Sequence, residues 1–272
     1  MELRELQIEL YNMLVRLDEF CKTNQIAYSL FGGTLLGAIR HHGFIPWDDD
    51  IDICMTRDNY QKFVTCWRES PIESCFLQTI DTDPEYTQPF AKIRREDSTY
   101  IEYEYQKAYR HTGLFIDVLI LDRVHAHGLS MALDWVEWSL YLISIRDIHR
   151  RLLNKRFMLH NPSFIRKLTK GYRSWLHKQL IRRCKNTNLP LADVIAYKVI
   201  NRRYSSDLCA GYQMVRFEDG YFPVMRDYHK FLSQVYGNYM ELPPPEQRKR
   251  KHNPLIQDFH HAYSGSQTKE KQ

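Results

Sequence analysis

The sequence predicts an α+β protein: a mixed sheet with flanking helices, followed by a helical, basic second half. Three observations point there. Strand-type and helix-type segments alternate up to about residue 122, helical patterning takes over from residue 130 to about 204, and charge divides along the same line. Residues 140–188 hold thirteen Lys and Arg against one Asp, so in a chain of net charge +5 the remainder carries a deficit of seven. At 272 residues the chain can bury a substantial core.

Leu3, Leu6, Leu10, Leu14, Leu17 and Cys21 recur every three or four residues, the stripe of an amphipathic helix that docks on a sheet. Residues 26–31 (IAYSLF) form an apolar, β-favouring run that stops at Gly32-Gly33, a buried strand leading into a tight turn. Thr34 is placed to cap a short helix through residue 39, closed by His41-His42-Gly43. Residues 50–55 read as the next strand, with Asp50 and Asp52 on one face and Ile51 and Ile53 on the other. Thr56 opens a helix carrying Tyr60, Phe63, Val64 and Trp67, and strands are expected at 75–80, 89–94, 98–103 and 114–121. Helices fill 130–204, broken at Asn161-Pro162 and Leu189-Pro190. A short helix over 227–235 precedes an extended Pro243-Pro244-Pro245 stretch. Four segments result: a catalytic core at 1–125, a basic helical region at 126–205, a C-terminal segment at 206–258 that packs back on the core, and a disordered tail at 259–272.

Charges at Glu2, Arg4 and Glu5 stand where a secretory signal needs an apolar run, and no uncharged stretch approaches the roughly 20 residues of a spanning helix. A cytoplasmic protein is expected. The six cysteines show neither CxxC pairs nor zinc-finger spacing, so they read as reduced thiols. Aromatics at 13% fill cores and also suit pockets for flat, sugar-like or cationic ligands.

Two carboxylates at i and i+2 on a strand lie roughly 6–7 Å apart, a spacing that serves one hard cation or bridges two. Asp117 supplies a third acid inside the apolar run Phe115-Ile116-Asp117-Val118-Leu119, where an unpaired charge is costly. Gly32-Gly33 lets backbone N–H groups approach a phosphate, Thr34 adds a hydroxyl, and Arg40 and Lys92 are candidates for phosphate oxygens. Taken singly, each has a plainer reading: a turn, a solvated acidic loop, or an Asp117 ion pair with Arg94 or Arg110. An EF-hand is excluded, because Ile53 and Asn59 stand where the loop needs Gly and Glu. What favours the joint reading is the order of strand, Gly-Gly, helix, D-x-D strand and later acid.

Residues 31–53 (FGGTLLGAIRHHGFIPWDDDIDI) closely resemble the LicD family of the nucleotidyltransferase superfamily, related to the fukutin-type transferases. The resemblance continues at Lys92-Ile93-Arg94, at 113–118 (GLFIDV), at Tyr236-Gly237-Asn238-Tyr239 and at Leu242-Pro243-Pro244. It implies a nucleotidyltransferase-type core and metal-dependent transfer of a phosphorylated alcohol, most typically phosphocholine from CDP-choline. The acceptor is a sugar hydroxyl of a bacterial surface glycan (lipopolysaccharide, teichoic acid or capsule) or its lipid-linked precursor. Matched position by position, Asp50, Asp52 and Asp117 become catalytic acids and ligands for Mg2+ or Mn2+, and Gly32, Gly33 and Thr34 meet the phosphates. Asp48 is counted with the metal set, its division of labour with Asp49 left open. Trp47, Tyr100, Tyr103 and Phe222 are candidate walls for choline. The alternatives are glycerol- or ribitol-phosphate transfer from a CDP-alcohol, or a D-x-D nucleotide-sugar glycosyltransferase. Residues 140–188 are expected either to face solvent or to meet the anionic inner leaflet of the plasma membrane. No nucleic-acid partner is expected.

Overall fold

A computed structural model describes residues 3–83, 86–103, 106–107, 110–153, 162–194 and 202–264, and the side chains of all of these except 146–153 and 162–169. The leucine stripe does form α1 (Leu3–Thr23). Leu6, Leu10, Leu14, Leu17 and Cys21 are buried as the spacing requires, with Met13 beside them, while Leu3 is only partly covered.

Only two residues of the expected 26–31 strand join a ladder, as β1 (Ser29–Leu30). The reason is local: the Ala27 N–H donates to Asn59 Oδ1 rather than to a neighbouring strand. α2 (Gly32–His41) begins earlier than expected, because Gly32 at φ +52 turns the chain directly into the helix. The Gly pair is therefore the helix's first turn, and Thr34 sits inside the helix rather than capping it. β2 (Asp52–Thr56) starts at Asp52, so Asp50 lies in the preceding loop and does not alternate with Asp52 on a strand face.

After α3 (Arg57–Glu69) come β3 (Cys75–Gln78), β4 (Ala91–Arg95), β5 (Thr99–Ile101) and β6 (Phe115–Arg123). The main sheet runs β1-β2-β6-β4-β3, with β7 (Leu191–Ala192) paired to the far end of β6. β2 and β6 are parallel and the other pairs antiparallel, which makes the sheet mixed as expected. β5 leaves this sheet and pairs with β10 (Ile256–Asp258).

α4 (Gly128–Leu153) and α5 (Pro162–Cys184) form the helical half, with Pro162 at the first helical position. The helical expectation fails at 191–192, where β7 is extended and Leu191 bridges Tyr204; residues 195–201 lie outside the described residues. Val124, Trp138, Leu176, Leu180 and Ala192 close a small second core there. A hairpin that the sequence reading did not foresee, β8 (Tyr212–Phe217) and β9 (Gly220–Met225), docks through Met225 N–H on Ser29 Oγ at 2.9 Å. α6 (Tyr228–Tyr236) follows. Phe259, placed in the tail from sequence, is 1% exposed and its carbonyl accepts from Arg95 Nη2; residues 265–272 lie outside the described residues. All six cysteines are free, and among the described residues no helix is long and apolar enough to cross a membrane.

Leu14 has no exposed surface in the centre of the α1 face. Leu14→Ala is expected to cost about 2–5 kcal/mol of stability, read as a shift in the denaturant midpoint, and Leu3→Ala distinctly less. Equal shifts would contradict the packing of α1.

Candidate active site

Strand register builds the centre of the site. The parallel pairing sets Asp52 opposite Asp117, and the antiparallel pairing of β6 with β4 sets Asp117 opposite Lys92. Lys92 Nζ donates to Asp117 Oδ1 at 2.5 Å and lies 3.3 Å from the centroid of the Phe115 ring. Lys92, a phosphate candidate from sequence, thus has its ammonium engaged by Asp117. Burial pushes the Lys92 pKa down, against the pull of Asp117. Burial raises the pKa of Asp117 above the ordinary carboxylate range, opposed by Lys92 and reinforced by Asp50.

The loop before β2 carries the other acids. Gln7 Nε2 donates to the Asp48 carbonyl at 2.9 Å, and Thr34 Oγ1 accepts the Asp52 N–H at 2.9 Å, so both ends of the acidic run are fixed from neighbouring helices. Thr34 is buried at this task. Carboxylate oxygens of Asp48, Asp49 and Asp50 converge within 4.8 Å. Burial, then the charge of Asp50, pushes Asp48 up to about 7, with Lys251 opposing. Asp52 is pushed well above its usual value by burial, then by Asp50 and Asp117. Asp49 behaves oppositely: burial raises it, but hydrogen bonds from His252 (3.0 Å) and Arg250 (2.7 Å) outweigh that and hold it low. Asp49 is therefore committed to the C-terminal segment.

These carboxylates crowd both glycines, in addition to the positive φ that already favours glycine at Gly32. A Cβ on Gly32 would stand 2.9 Å from Asp52 Oδ2, and one on Gly33 would stand 2.6 Å from Asp48 Oδ2. The positive end of α2 thereby faces two acids. Arg40 lies apart: its Nη1 donates to the carbonyls of Tyr239 and Glu241 at 2.9 and 3.0 Å, tying down the C-terminal loop. The four aromatic candidates do not converge. Trp47 is half-buried with Arg248 5.7 Å from its ring, Tyr100 is buried against Phe115, and Phe222 packs with Tyr11 and Phe217 under the hairpin. Tyr103 is exposed and lines a cavity of about 180 Å³ beside Asp117, with Lys92, Glu102 and His252.

Arg250, Lys251 and His252 went unrecognised in the sequence. The signal was present as the basic run 248–252 (RKRKH), the counterpart of the acidic run 48–52. Lys251 Nζ lies 3.5 Å from Asp48 Oδ1 and 4.0 Å from Asp50 Oδ2. Burial lowers its pKa, but Asp50, Asp48 and Asp52 together raise it well beyond that. Even so, Asp50 Oδ1 is buried with no hydrogen-bond partner. An all-carboxylate donor set with an unpartnered buried oxygen fits a hard divalent cation.

Residues 25–137 match the domain family described as LicD/FKTN/FKRP, nucleotidyltransferase domain. The lipopolysaccharide cholinephosphotransferase LicD of Haemophilus influenzae is 33% identical over 260 residues, covering 92% of this chain and 96% of the relative. The chain belongs to the LicD family. Two uncharacterized proteins, from Rickettsia typhi and Rickettsia prowazekii, are 48% identical over 56 and 46 residues, which are 21% and 17% of this chain and 18% and 17% of theirs. The segment matching the LicD family model contains Gly32, Gly33, all five residues 48–52, Lys92 and Asp117; Arg250, Lys251 and His252 lie beyond it.

Asp48, Asp52 and Asp117 all bind protons more tightly folded than unfolded. Without metal, that stabilisation is complete below about pH 4 and is lost as pH rises through the Asp48 value of about 7. In EDTA the denaturant midpoint is expected to fall between pH 4 and 7, less so in Asp48→Asn. Magnesium at pH 7 is expected to restore it in the wild type but not in Asp50→Asn. A midpoint that is flat or rises across this window would overturn the reading.

Proposed function

We propose that this chain transfers phosphocholine from CDP-choline to a sugar hydroxyl of a bacterial cell-surface glycan or of its lipid-linked precursor. The observation that carries this reading is the end-to-end likeness to the Haemophilus lipopolysaccharide cholinephosphotransferase. Support from this chain's own residues comes from the acids of β2 and β6 meeting at the start of α2.

Asp50, Asp52 and Asp117, with Asp48, are the residues assigned to hold a divalent ion, Mg2+ first and Mn2+ second. Such an ion supplies charge neutralisation and Lewis acidity at a diphosphate. Lys92 orients Asp117, and Asp117 is the group assigned to accept the proton of the acceptor hydroxyl. The hydroxyl oxygen bonds to the phosphorus that bears the alcohol, the phosphoanhydride bond breaks in line, and cytidine monophosphate leaves. Arg250 and His252 hold the Asp49 end of the loop against the charge of its neighbours, and Lys251 offers a cation beside Asp48 and Asp50. Glu102 and Tyr103 place an acid and an aromatic face in the cavity beside Asp117, a pairing that suits a quaternary ammonium. Arg94 and Gln106 in the same cavity favour a second reading, a hydroxyl-rich cargo such as glycerol- or ribitol-phosphate.

Asp52→Asn is expected to lower transfer by about 10²-fold or more while the variant stays folded, its unfolding midpoint in EDTA at pH 7 no lower than that of the wild type. Near-normal turnover by this variant would sink the assignment. A panel of CDP-choline, CDP-glycerol, CDP-ribitol and nucleotide sugars names the donor by which one releases its nucleotide; release of a nucleoside diphosphate would favour glycosyl transfer instead.

We also assign the helical half to an anionic membrane face, at the cytoplasmic side. Leu129, Leu133, Val136, Leu140 and Ile143 follow 4-3-4-3 spacing on α4 and are 47–77% exposed, while Trp138 and the ion pairs of Asp134 and Glu137 with Arg183 secure the opposite side. Exposed Lys170, Lys178 and Arg182 on α5, with Lys185 just beyond it, add positive charge. The side chains of 146–169, the middle of the basic stretch, lie outside the described residues. Flotation with vesicles containing phosphatidylglycerol is expected at low salt, reduced by Leu133→Glu combined with Leu140→Glu. No salt-sensitive flotation would leave these helices as a solvated face.

A further inference from the structure

Five residues past Asp117, at the other end of β6, the sheet forms one wall of a second cavity of about 620 Å³. At roughly 3.3 Å per residue, Asp122 in its wall stands about 16 Å from Asp117, and none of Asp48, Asp50, Asp52 and Asp117 lines it. Its walls come from both halves of the chain: Tyr60 and Trp67 of α3, Phe76 of β3, Leu119 of β6, Trp138 of α4 and Leu176 of α5. The volume is that of a small-molecule site.

Three arginines line the cavity; Arg68 is exposed, and the two more covered ones, Arg57 and Arg173, differ. Arg57 is satisfied: its Nε and Nη2 donate to the two carboxylate oxygens of Asp122 at 2.7 and 2.5 Å. Arg173 is not: its Nε and Nη1 are buried with no hydrogen-bond partner. Buried N–H groups of a guanidinium are costly without an acceptor, and the apolar part of the wall, Tyr60, Trp67, Phe76, Leu119, Trp138 and Leu176, gains from being covered by apolar surface. A neutral hydrocarbon would fill the walls and leave Arg173 unpaired, and a bare anion would pair Arg173 and leave the walls uncovered. One molecule that answers both has an apolar body and an anionic head.

We propose that this cavity binds a single-chain anionic amphiphile, its tail against Tyr60, Trp67 and Leu176 and its carboxylate or phosphate head on Arg173. Its lining includes none of the four acids assigned to the transfer reaction. Gln88 and Phe90 line both this cavity and the smaller one beside Asp117, so the two spaces share a wall.

Titration of the intact protein with dodecyl phosphate, dodecanoate, dodecanol and inorganic phosphate, read by calorimetry and by fluorescence of Trp67 and Trp138, tests this. Saturable one-to-one binding of dodecyl phosphate or dodecanoate below their micellar concentrations is expected, and the tighter of the two names the head group. Dodecanol and inorganic phosphate should each bind at least tenfold more weakly. Arg173→Met should weaken the amphiphile at least tenfold without lowering the unfolding midpoint, and Arg173→Lys should recover part of the loss. Absence of saturable binding, equal binding of dodecanol or of inorganic phosphate, or unchanged affinity in Arg173→Met would each overturn the proposal.

Discussion

Parallel pairing of β2 with β6 places Asp52 beside Asp117, and the rest of this end of the sheet is organised around the electrostatic cost of that register. Like charges on adjacent strands repel, and burial deepens the penalty by removing water. Two more acids, Asp48 and Asp50, arrive from the loop before β2. Compensation comes from separate directions: Lys92 from the neighbouring strand, the start of α2 through Gly32 and Gly33, and Lys251 from the C-terminal segment. Arg250 and His252 meanwhile neutralise Asp49 and so keep it out of the repulsion. The compensation is incomplete at Asp50 Oδ1, where a cation has most to offer.

The same two strands carry a contrasting arrangement at their other end. There Arg57 and Asp122 form a bidentate buried pair whose hydrogen-bonding groups largely satisfy one another. A closed pair of this kind contributes rigidity and specificity of docking more than net stability. Excess negative charge is thus confined to one end of β2 and β6, and the helical half is fastened to the end where charge is already balanced.

What was legible in the sequence follows from range. The α1 stripe, the acidic run and the Gly pair are local patterns, and each produced the expected element or a near neighbour of it. Strand β1 shrank because Asn59, far along the chain, takes the Ala27 N–H. The β8–β9 hairpin carried its own local signal in Glu218-Asp219-Gly220 between two alternating runs, although Pro223 weakens the second of these. Arg250, Lys251 and His252 were obscured because a polar run near the end of a chain reads as solvated, and only tertiary contact distinguishes a partner of Asp49 from a surface charge. Tyr100 and Phe222 illustrate the converse limit: an aromatic side chain in the core and one in a ligand cage have the same one-letter code. Arg40 shows it for charge, since its guanidinium serves backbone carbonyls of the C-terminal loop.

The bond from Arg250 to Asp49 spans 201 residues of chain. A ribosome adding about 5–20 residues per second needs roughly 10–40 s to cover that interval. For the later part of it, once Asp117 has been added, the acidic loop, Lys92 and Asp117 are present while the cations that restrain Asp49 and face Asp48 are not. The site therefore has an order of assembly written into it. Most of the sheet is made first, and its electrostatic closure waits for residues added long after it.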